Sequence, residues 1–176
     1  MIETERLWLR RWRDSDTAPF ARINADPEVR RYLGIEGTLE ESAAGVARQQ
    51  ALQARLGHCF WAAERKSDGV LLGFCGLRDG VADSPIAGDV EIGWRLGSAW
   101  WGQGYAREAA AACLEWAFES LAVPRVVSIT VPANRRSWGL MERLGMVRRP
   151  DLDFLHPLLP EGHALRAHIV YVKDRP

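Results

Sequence analysis

Two glycines one residue apart, Gly102 and Gly104, stand where an alternating run ends and an apolar-striped segment begins. That junction constrains the fold more than any other stretch. Upstream, residues 89–96 read as a strand. Downstream, Ala109, Ala110, Cys113, Leu114, Ala117 and Phe118 recur at three- and four-residue spacing, which predicts a helix over 104–120. A strand handed to a helix through so short a turn belongs to α/β architecture. Glycines let a ligand approach bare backbone N–H groups. The first N–H groups of a helix lack internal partners and sit at the positive end of its dipole. The junction suits a phosphate or pyrophosphate; the alternative is a tight turn that binds nothing.

Around it, residues 4–12 suit an early strand, and Asp14 or Ser15 a cap for a helix reaching Ala25. Asp26-Pro27 punctuates the chain. Thr38 and Glu41 form a capping-box pattern ahead of a helix that runs to Arg55 or Leu56 and stops at Gly57. Strands at 58–65 and 70–77 flank Asp68-Gly69, a hairpin signal. A loop at 80–88, a buried strand at 126–131, a helix at 135–144 ended by Gly145, a Pro-rich excursion and a last strand at 167–173 complete the chain. The order β-α-α-β-β-β-α-β-α-β predicts a mixed sheet covered by helices.

Composition narrows function by exclusion. A length of 176 residues fits one domain with its own core. The 23 basic and 23 acidic side chains cancel, which argues against nucleic acid or a membrane surface as a general partner. No apolar run is long enough to span a bilayer, and the first residues lack signal-peptide order, so a cytoplasmic location is expected. Cys59, Cys75 and Cys113 read as small buried hydrophobes. Only Lys66 and Lys173 are lysines, which disfavours Schiff-base chemistry. His58, His156, His163 and His168 show no metal-ligand spacing, so no metal is expected; His156 and His163 fall in a loop where solvation is the simplest account, its alternative being a role in shaping specificity.

Known anion sites differ at the residues that matter. A P-loop needs Gly-Lys, which is absent. A dinucleotide fingerprint starting at Gly102 needs Gly or Ala where Arg107 stands. Trp101-Gly102-Gln103-Gly104-Tyr105-Ala106, together with the Thr4-Glu5-Arg6-Leu7 start, Asn134, Ser137 and Leu144-Gly145, resembles the GNAT superfamily of N-acetyltransferases, in its ribosomal-protein N-terminal acetyltransferase-like branch. Trp101 departs from the family's usual Gln or Arg at the first loop position.

The resemblance implies a GNAT fold: a mostly antiparallel twisted sheet with a splayed parallel strand pair and helices on both faces. It implies acetyl-CoA as cosubstrate. Backbone groups of Ile92, Trp94 and Leu96 would then hold the pantetheine, and Gly102, Gln103, Gly104, Ala106 and Arg107 the pyrophosphate. A solvated surface arginine is the other reading of Arg107. Asn134 would touch the pantetheine arm, a role compatible with capping its helix. An amine would attack the thioester directly. Glu91 is the candidate general base, directly or through water, its alternative being a structural carboxylate. Relatives often carry a tyrosine acid where this chain has Met141, so Ser137 is the preferred partner of the CoA sulfur, its alternative being a capping role. A backbone N–H of strand 89–96 would polarise the carbonyl. The acceptor is the amine of a protein N-terminus or of a small molecule, and the protein a monomer or homodimer. Met141 also motivates a catalytically silent acyl-CoA-binding or sensing domain. A phosphate-binding module unrelated to CoA is a third reading.

Overall fold

The Asp-Gly turn closes a hairpin, and the sheet extends from both of its edges. The structure, a computed structural model, describes residues Met1–Pro176. Strands β1 (Ile2–Glu3), β2 (Leu7–Arg10), β3 (Phe60–Arg65), β4 (Leu71–Asp79) and β5 (Val90–Leu96) pair antiparallel in that order. Gly69 turns the hairpin at φ 70°, a conformation that favours glycine. β6 (Arg125–Thr130) joins β5 in parallel. β9 (Ala167–Asp174) then pairs with β6, β7 (Val147–Arg148) and β8 (Phe154–Leu155), all antiparallel.

Neighbouring residues of β4 fix the layers, because side chains alternate across a strand. Phe74 meets Phe20 of α1 (Thr17–Ala25) edge-on, ring centroids 6.0 Å apart. Cys75 lies 3.8 Å, sulfur to sulfur, from Cys113 of α4 (Tyr105–Ser120). Helices therefore cover both faces, as expected. α3 (Leu39–Leu56) packs on α1, and α5 (Arg135–Arg143) adds Leu140 and Met141 to the main core. All three cysteines are buried and free, and burial pushes the Cys59 thiol up to about 12. Across the sheet from α4, the 80–88 loop buries Ile86 against Val127, Val170 and Val172, a packing role its turn-rich sequence did not suggest.

Four local readings change. The strand expected over 4–12 shortens to β2, with β1 a separate strand ahead of it, and between the two the Thr4 hydroxyl and the Arg6 N–H both turn aside to Glu108 of α4. Asp26-Pro27 starts a helix: α2 (Pro27–Arg30) has Asp26 as its cap, accepting the Glu28 N–H at 2.9 Å. The Pro-rich excursion holds β7 and β8. Neither Asp14 nor Ser15 caps α1, which follows a 3-10 turn at Asp14–Asp16. No helix is long and apolar enough to cross a membrane.

The feature that makes a site is a failure of pairing. β5 and β6 match only at Val90–Val126 and Glu91–Val127, then separate. Past that point the Ser128 hydroxyl donates to the Ile92 carbonyl at 3.0 Å. The backbone groups of β5 that would have met β6 are left without a strand.

Candidate active site

The loop after β5 is shaped by its two glycines. Gly102 has φ 74° and Gly104 φ 84°, where other residues are strained. A Cβ on Gly102 would meet nothing within 4 Å, so this stretch of backbone faces open space. Gly104 is the N-cap of α4 and has no side chain to cap it, so the helix's first N–H groups remain available. The Trp101 indole N–H donates to the Leu96 carbonyl at 2.8 Å, tying the loop to the end of the strand.

Arg6, a motif residue to which the sequence assigns no role, holds the loop from behind. Its Nε donates to Glu108 at 2.7 Å, its Nη1 donates to the Gln103 carbonyl at 3.0 Å, and its guanidinium lies 4.4 Å from the Tyr105 ring centre. In a planar trans peptide the C=O and N–H point in opposite directions. Turning the Gln103 carbonyl toward Arg6 therefore turns the Gly104 N–H away from it. The signal was the Thr4-Glu5-Arg6-Leu7 start, whose physical role needed the fold to be seen.

A cleft of about 1070 Å³ runs from this loop along the open edge of β5. It is lined by eight of the expected residues: Trp94, Leu96, Gly102, Gly104, Ala106, Arg107, Asn134 and Ser137. Ile92, Gln103 and Glu91 lie off that lining. Ile92 is fully buried in the core and its carbonyl already accepts from Ser128. The Gln103 side chain folds back to donate to the Ala99 carbonyl at 2.9 Å. Asn134 caps α5: its Oδ1 accepts the Ser137 N–H at 3.4 Å and its Nδ2 donates to Thr130 at 3.1 Å. The Ser137 N–H is thus occupied, while its hydroxyl is free at the cleft wall. Met141 is wholly buried in the core.

Glu91 is 4% exposed, on the face of β5 opposite Ile92. Arg78 Nη2 lies 3.0 Å from both of its oxygens. Burial raises the Glu91 pKa above the ordinary carboxylate range, and Arg78 pulls it back only in part. Phe60 and Phe74 form an aromatic floor beside this pair, stacked at 5.0 Å with 6° between planes. Gly93 is required there, since a Cβ would stand 2.9 Å from the Phe60 ring. His156 and His168 sit with ring centroids 4.9 Å apart against Phe154. Burial lowers both of their pKa values, with the charge of Arg78 adding to the effect. His163 is exposed as expected, but His156 is half-buried in this cluster, so solvation does not describe it.

The sequence and the fold match known proteins. The family model for the acetyltransferase (GNAT) domain matches residues 6–147, and the chain belongs to that family. The YkkB protein of Bacillus subtilis is 31% identical over 146 residues, covering 82% of this chain and 84% of its own length. The N-acetyltransferase p20 of Bacillus licheniformis is 31% identical over 146 residues, covering 81% and 80%. A crystal structure of an acetyltransferase from Agrobacterium tumefaciens aligns over 99% of this chain and 94% of its own, with TM-score 0.79 and 29% identity. The protein is an acetyl-CoA-dependent acetyltransferase.

Proposed function

We propose that residues 1–176 work as one N-acetyltransferase domain that passes the acetyl group of acetyl-CoA to a primary amine by direct attack in a ternary complex. The observation that carries this reading is the cleft linking the bared N–H groups at Gly102 and Gly104 to the open edge of β5. Pyrophosphate at one end and pantetheine along the other would bring the thioester to the level of Glu91. The amine lone pair attacks the carbonyl carbon, and a β5 N–H stabilises the oxyanion. The C–S bond breaks, the amine proton passes to Glu91 through water, and the Ser137 hydroxyl hydrogen-bonds the departing sulfur. The products are an acetamide and free CoA.

Glu91 suits a base because its raised pKa brings it closer to that of an amine. Its burial off the cleft lining favours the water-mediated route. The acceptor is a protein N-terminus or a small amine. Acetyl-CoA incubated with a broad amine panel should release CoA thiol, and CoA alone should raise the melting temperature. Met141, buried and unable to donate a proton, favours one competing reading, a silent acyl-CoA sensor. Tight CoA binding with no thiol release from any amine would select the sensor.

A further inference from the structure

Two guanidinium groups share the aromatic floor, and only one has a carboxylate. The β4–β5 register sets Arg78 opposite Glu91 and Phe74 opposite Arg95. Arg78 lies over Phe60 and is neutralised by Glu91. Arg95 lies over Phe74 at 5.2 Å and Phe20 at 5.9 Å. Its one side-chain hydrogen bond runs from Nη1 to the Asn24 Oδ1 at 2.8 Å, and its Nε is buried with no partner. Glu41, the anion whose field reaches it, is committed to the backbone N–H groups of Gly37 and Thr38. Burial, reinforced by Arg78 and Arg48, lowers its pKa to about 10, which leaves it charged at neutral pH. A buried cation held without a counter-ion is costly, and a guanidinium fork matches a carboxylate or phosphate.

Arg95 also lines the cleft, whose wall includes Val29 and Tyr32 as well as the phosphate loop. Residues 91, 93 and 95 share one face of β5, the face packed by α1, whereas Trp94 turns toward α4. Four residues along a strand separate Glu91 from Arg95 by about 13 Å between Cα atoms. The charge therefore stands on the same face as the proposed base, at a distance, and apart from the N–H groups offered to the pyrophosphate.

We infer that Arg95 selects the acceptor: the substrate class is an amine that carries a carboxylate or phosphate several bonds from its amino group. The inference rests on the acetyltransferase reading and deepens it. Asn24 would hold the guanidinium in place while its open edge meets the oxyanion.

Matched acceptors test it: a short peptide with a free C-terminal carboxylate against its amide, and an amino-alcohol phosphate against the amino alcohol. The wild-type protein should favour at least one charged member by about tenfold or more in kcat/KM. The favoured pair names the oxyanion. Arg95→Met should abolish that preference, leave acetyl-CoA affinity unchanged, and leave the melting temperature of the free protein equal or higher. Arg95→Lys should restore part of the preference. Turnover without charge preference, or an equal loss for both members of a pair with a lowered melting temperature, would overturn the assignment and leave the transferase intact. Calorimetric titration of the carboxylate peptide into the CoA complex separates the two ideas. Peptide binding lost in Arg95→Met, with no turnover in either protein, supports the anion site and overturns the transferase. Binding of neither the carboxylate peptide nor the amino-alcohol phosphate to the wild-type complex overturns the site.

Discussion

Arg10 on β2 is buried and Arg95 on β5 is half-buried at the cleft, and the two have been treated in opposite ways. Arg10 makes hydrogen bonds to Asp16 at 2.7 and 2.8 Å, to Glu64 at 2.6 Å and to the Arg11 carbonyl at 3.0 Å. Burial works to lower its pKa, but the two carboxylates outweigh it and raise the value. At Arg95 desolvation meets no carboxylate hydrogen bond to oppose it, and the pKa falls to about 10. A cation that serves the fold has its donors filled from within the chain. One that serves a ligand keeps donors in reserve, and the fold carries the cost. Glu91 lies between these extremes, with one guanidinium partner that is itself 37% exposed.

The contrast breaks most visibly at Asp16. Asp16→Ala should lower stability by about 2–3 kcal/mol, since it removes the paired hydrogen bonds to buried Arg10 and leaves Glu64 as its one carboxylate, with acetyl-CoA affinity of the folded protein unchanged. Urea melts with CoA titrations check both halves. Burial disfavours ionised Asp16, but its hydrogen bonds from Arg10 and the Arg13 N–H win and hold the pKa below the usual range. That stabilisation is present above the ordinary aspartate pKa and disappears as pH falls through the depressed value. The gap between wild type and variant should therefore narrow below about pH 4.

Glu91→Gln sharpens the comparison from the other side. A loss of about 100-fold in kcat is expected, with stability within about 1 kcal/mol of wild type because Arg78 can turn to solvent. The wild-type rate should climb with pH through a pKa above the ordinary glutamate range, and the variant should lack that limb. A smaller effect, about tenfold or less in kcat, is expected for Ser137→Ala. Asn134 supplies the helix cap, so a melting temperature that drops with Ser137→Ala would show the hydroxyl to be structural instead.

Local chemistry was readable in the sequence, and long-range register was not. The capping box at Thr38 and Glu41 forms as expected, with Thr38 Oγ1 accepting at 3.1 Å, and Gly57 ends its helix at φ 78°. Both rest on residues a turn apart. The same holds for the glycine turn before α4 and the Asn134 cap. Arg6 and the Gln103 carbonyl are 97 positions apart, and Glu91 finds Arg78 only through strand pairing. His156 meets His168 because β8 folds back on β9. No spacing rule reaches across such distances, so eight residues of the cleft were foreseen, while its wall from Glu28 to Leu33 and the charge partners within it were not.

The parting of β5 from β6 also sets how the protein is fastened together. Beyond Glu91 and Val127 no zipper of main-chain bonds joins the β1–β5 half of the sheet to the β6–β9 half. A molecule laid in that seam would stitch them, much as an added strand would. Deuterium uptake at the amides of Gly93 through Leu96 that point into the seam should be quick in the free protein and slow once CoA is bound, while amides shared with β4 keep one pace throughout.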